Sequence, residues 1–191
     1  MPRLTGPGRR PRCEMRAADV VGLLDCLEAA GVEVWLDGGW AVDAALGAQT
    51  RPHDDLDVIV ELRHVETVRK ALARRGYAHG RGIEPVSFEV VDPEGRQVDV
   101  HPVVFNTSGD GIYRMDDGED WTYPAGGFEG TGLVQGRQVR CLTPEVQILC
   151  HTGYEPHRKS FDDVTALSRR FDPPLPDEYC RPAESYPPRG E

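Results

Sequence analysis

The 191-residue chain contains no apolar run long enough to span a bilayer, which excludes a transmembrane helix. Its basic start, MPRLTGPGRRPR, is followed by no apolar stretch and so does not read as a secretory signal. Positive charge is scarce: 22 Lys and Arg stand against 32 Asp and Glu, and lysine occurs only at Lys70 and Lys159. A formal net charge of −10 speaks against duplex nucleic acid, whose phosphates need clustered Lys and Arg. It does not speak against a cationic small molecule. The five cysteines (13, 26, 141, 150 and 180) form no Cys-x-x-Cys pair, and with His151 and His157 they match no standard zinc spacing. The expected protein is cytoplasmic, with reduced thiols and no membrane partner, as a monomer or homodimer.

Apolar residues make up 39% of the chain and charged residues 28%, enough for one packed domain. Prolines crowd both ends, so residues 1–13 and 172–191 are expected as flexible tails around a folded unit at 14–171. Val20, Val21, Leu23, Leu24 and Leu27 recur at helical spacing, with Gly31 as the stop. Val32–Leu36 and Leu56–Val60 read as strands, and Trp40–Leu46 and His64–Arg75 as helices closed by Gly47 and Gly76. Gly136 sits in a hairpin turn between Val134 and Gln138. Thr143 then caps one helix, with Pro144 at its first position, and Ser160 caps the last. The Gly- and Asp-rich stretch 106–132 reads as a long binding loop.

Two further strands, Val86–Val91 and Gln97–Val103, flank Asp92-Pro93-Glu94-Gly95-Arg96, a turn with Pro second and Gly fourth. Pairing Asp92 with Arg96 forces Glu89 opposite Asp99 and Ser87 opposite His101. Like charges face to face destabilise a strand pair, so a cation or a raised pKa is expected there.

Three features follow in order. Gly38-Gly39 lies between a strand and a helix, where free backbone N–H groups and the helix dipole favour phosphate. Asp55-Leu56-Asp57 opens a strand, so both carboxylates share one face about 7 Å apart, a spacing that suits hard divalent cations. Asp99 lies on a neighbouring strand and completes a three-carboxylate set of the kind used for in-line displacement at phosphorus. Arg51 and His53 stand beside these carboxylates and Lys159 precedes the last helix; each is either a phosphate contact or a solvated loop residue. Glu89 is an additional candidate general base. Tyr113, Trp121, Tyr123 and Phe128, near Asp116, Asp117, Glu119 and Asp120, form either an acceptor-binding wall or core aromatics under an acidic loop.

The run Val34-Trp35-Leu36-Asp37-Gly38-Gly39-Trp40-Ala41-Val42-Asp43-Ala44, followed by Thr50-Arg51-Pro52-His53-Asp54-Asp55-Leu56-Asp57, resembles the antibiotic nucleotidyltransferases. More closely, it resembles the group of the aminoglycoside 2″-adenylyltransferases and small lincosamide nucleotidyltransferases, over residues 16 to 168. His151-Thr152-Gly153-Tyr154-Glu155-Pro156-His157 resembles the lincosamide branch more. The resemblance implies an α+β, polymerase β-like nucleotidyltransferase fold: a mixed sheet flanked by helices over 14–142, then a short helical region over 143–171. It also implies Mg²⁺, two ions in number, and ATP or another nucleoside triphosphate, with a hydroxyl of a small-molecule antibiotic as acceptor. Asp55 and Asp57 match the family's metal-binding aspartates, Gly38 and Gly39 its phosphate turn, and Asp99 its third carboxylate, as metal ligand or base. A protein- or tRNA-modifying transferase and a non-catalytic nucleotide-binding module are the rival readings.

Overall fold

A computed structural model describes residues 13–115 and 118–187. Among the described residues the main sheet has seven strands, five of them in the order β1 (Trp35–Asp37), β2 (Asp55–Glu61), β5 (Gln97–Phe105), β4 (Ser87–Val91) and β3 (Ala78–Ile83). β2 and β5 run parallel, and the other neighbours antiparallel. One face of the sheet is apolar: Leu36, Leu56, Val58, Val98, Val100, Phe88 and Val90 pack with α1 (Ala17–Ala29) and α3 (Val65–Arg74). Burial of this face sets which side chains point the other way, because side chains alternate along a strand.

α2 (Gly38–Leu46) follows β1 without a connecting loop and ends at Gly47 in the left-handed conformation. Its sequence is apolar almost all round, as a helix buried on several sides requires. Trp40, Ala41 and Ala44 join the main core, while Val42 joins a second cluster with Ile148, Val164, Leu167 and Tyr179. The hairpin of β8 (Thr131–Val134) and β9 (Arg137–Arg140) lies against α2, and a Cβ at Gly132 would overlap the Ala44 carbonyl. Gly132→Ala is therefore expected to destabilise the protein by about 1–3 kcal/mol through overpacking. Thermal unfolding checks this, and an unchanged midpoint would show that the contact yields without cost.

Several expectations are corrected. The stretch 106–132 is not one long loop: β6 (Gly111–Arg114) extends the sheet from the end of β5, and β7 (Asp120–Tyr123) pairs with β6. Ile112, Tyr113, Trp121, Thr122 and Tyr123 are good strand formers whose signal is masked by the Gly and Asp around them. β3 was not anticipated, because Ala-His-Gly-Arg-Gly-Ile is exposed at every position and carries no apolar alternation. The first strand is shorter than expected and begins at Trp35.

α4 (Pro144–Cys150) begins at Pro144 as expected, although the Thr143 side chain makes no capping bond. α5 (Arg158–Phe171) begins before Ser160, with His157 as its cap: the Ser160 N–H donates to His157 Nδ1 at 3.2 Å. Residues 172–187, expected as part of a flexible tail, fold back in two 3₁₀ turns. Two aromatic anchors explain this. Tyr179 is buried and donates to the His151 carbonyl at 2.6 Å, and Tyr186 stacks on Phe161 with ring centres 4.5 Å apart. Among the described residues no helix is long and apolar enough to cross a membrane.

Candidate active site

Strand registers place five residues in one line across the open face of the sheet. Asp37 pairs with Asp57, Asp57 with Asp99, Asp99 with Glu89, and Glu89 with Arg81. At about 4.8 Å per strand, four carboxylates and one guanidinium span roughly 19 Å. The Glu89–Asp99 pairing is the one expected from the turn, whose Asp92 N–H donates to the Arg96 carbonyl at 3.1 Å. Asp55 lies two residues before Asp57 on the same face, with buried Leu56 between them.

This crowding has electrostatic consequences. Burial and the nearby Asp57 charge push the Asp99 carboxyl up to about 7, despite a 2.7 Å hydrogen bond from Gln97 Nε2. Burial also raises Asp37, which accepts from the Gly38 N–H at 2.8 Å and from the Tyr123 hydroxyl at 3.2 Å. Burial pulls the His101 imidazole down, but its bond to Asp57 at 3.5 Å and the charges of Asp57, Asp37 and Asp99 outweigh this and raise it. Arg81 grips Glu89 with two N–H groups, one of them donating to Oε2 at 2.9 Å. The cation expected opposite Asp99 is therefore supplied at Glu89 by the chain itself.

The Gly38-Gly39 turn sits against this line. Gly38 has φ +59°, and a Cβ there would overlap the Asp57 carboxylate. A Cβ on Gly39 would lie 2.5 Å from His53 Nδ1 and 2.7 Å from Arg51 Nη2. Only glycine lets the start of α2 approach the carboxylates this closely.

His53, expected as a possible phosphate contact, is instead buried behind the cleft. Its Nε2 lies 2.5 Å from Asp43 Oδ2, its Nδ1 lies 3.0 Å from Arg51 Nη1, and its ring packs on Trp40. Its neighbour Arg51 also donates to Asp163 at 2.7 Å and reaches the cleft. A cavity of about 180 Å³ brings Gly38, Gly39, Arg51, Asp55, Asp57 and Lys159 together. Lys159 Nζ lies 3.5 Å from Asp54 Oδ2. His151, His157 and Asp163 line the same cavity; the two histidines enter the sequence reading only through the resemblance of 151–157, and nothing local to Asp163 pairs it with Arg51, 112 residues earlier.

Tyr113 and Tyr123 are buried core residues beside Trp35, Ile59 and Val103, with Trp121 and Phe128 packed against them. Their rings fill the core rather than wall an open pocket. Their hydroxyls still reach the open face, Tyr113 donating to Ser87 Oγ at 2.7 Å and Tyr123 to Asp37. Of the acidic residues named with them, Asp116 and Asp117 lie outside the described residues, and Asp120 is paired with Arg114.

Among the described residues no three His, Cys, Asp or Glu side chains converge into a ready-made metal cage. Magnesium rarely uses one: it is typically held by one or two carboxylates and completed by water and substrate phosphates. An open row of mutually repelling aspartates beside a glycine turn fits that mode of binding.

The sequence model of the aminoglycoside-2″-adenylyltransferase family matches residues 19–167. The chain belongs to that family. It is an enzyme of the nucleotidyltransferase type, and that chemistry implies a nucleoside triphosphate and a divalent metal. A lincosamide resistance protein of Staphylococcus haemolyticus is 32% identical over 145 residues, covering 76% of this chain and 89% of its own. A 2″-aminoglycoside nucleotidyltransferase of Escherichia coli is 27% identical over 127 residues, 66% of this chain and 67% of its own. The lincomycin-bound crystal structure of the lincosamide antibiotic adenylyltransferase LnuA superposes with a TM-score of 0.69 at 29% identity, over 78% of this chain and 94% of that one. ANT(2″)-Ia in complex with adenylyl-2″-tobramycin shares the fold, with a TM-score of 0.65 at 19% identity over 80% and 87% of the two chains. The adenylyltransferase-family chain thus has the polymerase β-like nucleotidyltransferase fold expected from its motifs.

Proposed function

We propose that the protein transfers a nucleoside monophosphate, AMP from ATP, to a hydroxyl of a lincosamide or aminoglycoside antibiotic and so inactivates it. The observation that carries this reading is the line Asp37–Asp57–Asp99–Glu89–Arg81 lying against the Gly38-Gly39 turn. Beyond Gly38, whose N–H is taken by Asp37, the start of α2 offers backbone N–H groups to the phosphates, and Arg51 and Lys159 supply positive charge on the same side. Asp55 and Asp57, with Asp99 beside them, would hold Mg²⁺, two ions in this reading. When bound, the metal neutralises charge on the α-phosphate and the leaving group. Asp99 takes the proton of the acceptor hydroxyl as its oxygen bonds to the α-phosphorus and the bond to pyrophosphate breaks. A reaction that consumes a nucleoside triphosphate suits the cytoplasm, where that co-substrate is available.

The lincosamide side is better supported. The Staphylococcus haemolyticus relative is matched over most of its length, and LnuA is the more similar of the two solved structures named above. Salt dependence tests the choice, because exposed charge is screened beyond about 8 Å at physiological ionic strength. With pyrophosphate release as the readout, kcat/KM for a monocationic lincosamide is expected to fall only weakly as salt rises. A steep fall, with turnover confined to polycationic aminoglycosides, would reverse the assignment. Labelled ATP in cell extract separates the rivals: label on protein or tRNA would favour a macromolecular acceptor, and no pyrophosphate release with any acceptor would favour a binding module.

A further inference from the structure

Beside Asp99, on the side away from the phosphate turn, the sheet face opens into a cavity of about 380 Å³. Arg81, Ser87, Glu89, Asp99 and His101 line it. An acceptor whose hydroxyl is at Asp99 must place the rest of itself against this surface.

The two members of the ion pair in this cavity differ in how firmly they are held. The Glu89 side chain is 12% exposed and lies on β4 between two strands, opposite Asp99. The Arg81 side chain is 64% exposed, on an edge strand that is exposed at all six positions. Glu89 is the held member of the pair, and the exposed Arg81 side chain can swing into water once another cation takes its place. Glu89 nevertheless needs a positive partner, since with none it would face the Asp99 carboxylate directly across the strand pair.

We propose that Glu89 is the residue that binds the acceptor's ammonium group, and that Arg81 holds that place until the acceptor displaces it. Arg81 is then a built-in competitor, and the enzyme selects for hydroxyl acceptors that carry an amine. This rests on the antibiotic-acceptor reading for the identity of the acceptor, but not for the existence of the cation subsite. A neutral sugar would have to leave the ion pair in place or strand Glu89, and would gain nothing by entering.

The test combines Glu89→Gln, Arg81→Met and the double variant, with lincomycin as acceptor and spermidine as a probe. Spermidine carries ammonium groups and no hydroxyl, so it cannot be a substrate. Glu89→Gln should raise the KM for lincomycin about tenfold, the worth of one charge-assisted hydrogen bond, with the loss falling on KM rather than kcat. Arg81→Met should lower that KM about threefold, and should do nothing further in the double variant. Spermidine binding, measured by calorimetry, should weaken in Glu89→Gln and tighten in Arg81→Met, while Glu66→Gln on the distant α3 leaves it unchanged.

A fall in kcat for Glu89→Gln at constant KM would overturn the proposal and make Glu89 the base. A raised KM for ATP in Arg81→Met would assign Arg81 to the phosphates. A lower melting temperature with no change in acceptor or spermidine affinity would make the pair structural only. If lincomycin is not turned over by the unsubstituted enzyme, the acceptor assignment fails, and the spermidine arm alone still decides the cation subsite.

Discussion

Asp57→Asn, and equally Asp55→Asn, is expected to abolish nucleotidyl transfer while the protein stays folded. Asp57 lies in the line between Asp37 and Asp99, and Asp55 sits one step along the same face. Neither supports the core, which Leu56 and Val58 fill from the opposite face of β2. Their proposed work is to concentrate negative charge where a divalent cation and a triphosphate meet. Removing one group that stabilises developing charge typically costs about 10²–10³ in kcat, and losing a metal ligand removes more than one such contact. Without divalent metal, the same substitutions should raise the thermal midpoint, because each removes one of several crowded like charges. Turnover near that of the unsubstituted enzyme in either variant would remove Asp55 and Asp57 from the metal site.

Asp99→Asn is expected to lower kcat by about 10²–10⁴, the usual cost of losing a general base. Asparagine keeps an oxygen for the Gln97 amide, which donates to Asp99 Oδ1 at 2.7 Å, so the local fold should survive. The comparison with Glu89→Gln decides between the two candidate bases. Glu89 already spends both oxygens on Arg81, whereas Asp99 is pushed towards neutrality by burial and by Asp57. A larger loss of kcat in Glu89→Gln than in Asp99→Asn would reverse the roles.

Much of this site was legible because its elements are short-range. The spacing of Asp55 and Asp57 on one strand follows from the two-residue side-chain repeat, and the Asp92–Arg96 turn dictates the Glu89–Asp99 register. What could not be read is what depends on non-local pairing. The alignment of Asp57 with Asp99 joins two parallel strands through α3, β3 and β4, and no turn sets that register. Arg81 was missed because β3 has no apolar pattern, being held to β4 by backbone bonds and exposed throughout. Arg51 could not be matched to Asp163, 112 residues away, nor His53 recognised as buried, because its partner Asp43 reads locally as one polar position of an apolar helix. The aromatics at 113, 121 and 123 left two readings open for another reason: their composition suits a binding wall and a core equally, and it is the packing of β6 and β7 that puts Tyr113 and Tyr123 in a core.

The most direct measurement is mass spectrometry of the antibiotic itself. The purified protein is incubated with Mg²⁺, with ATP, GTP, CTP or UTP, and with lincomycin or an aminoglycoside. A product heavier than the antibiotic by one nucleoside monophosphate, formed with release of pyrophosphate and lost in Asp57→Asn, is the expected result. Pyrophosphate released with some other metabolite, with no adduct on either antibiotic class, would contradict the antibiotic-modifying role and leave only nucleotidyl transfer to a different hydroxyl.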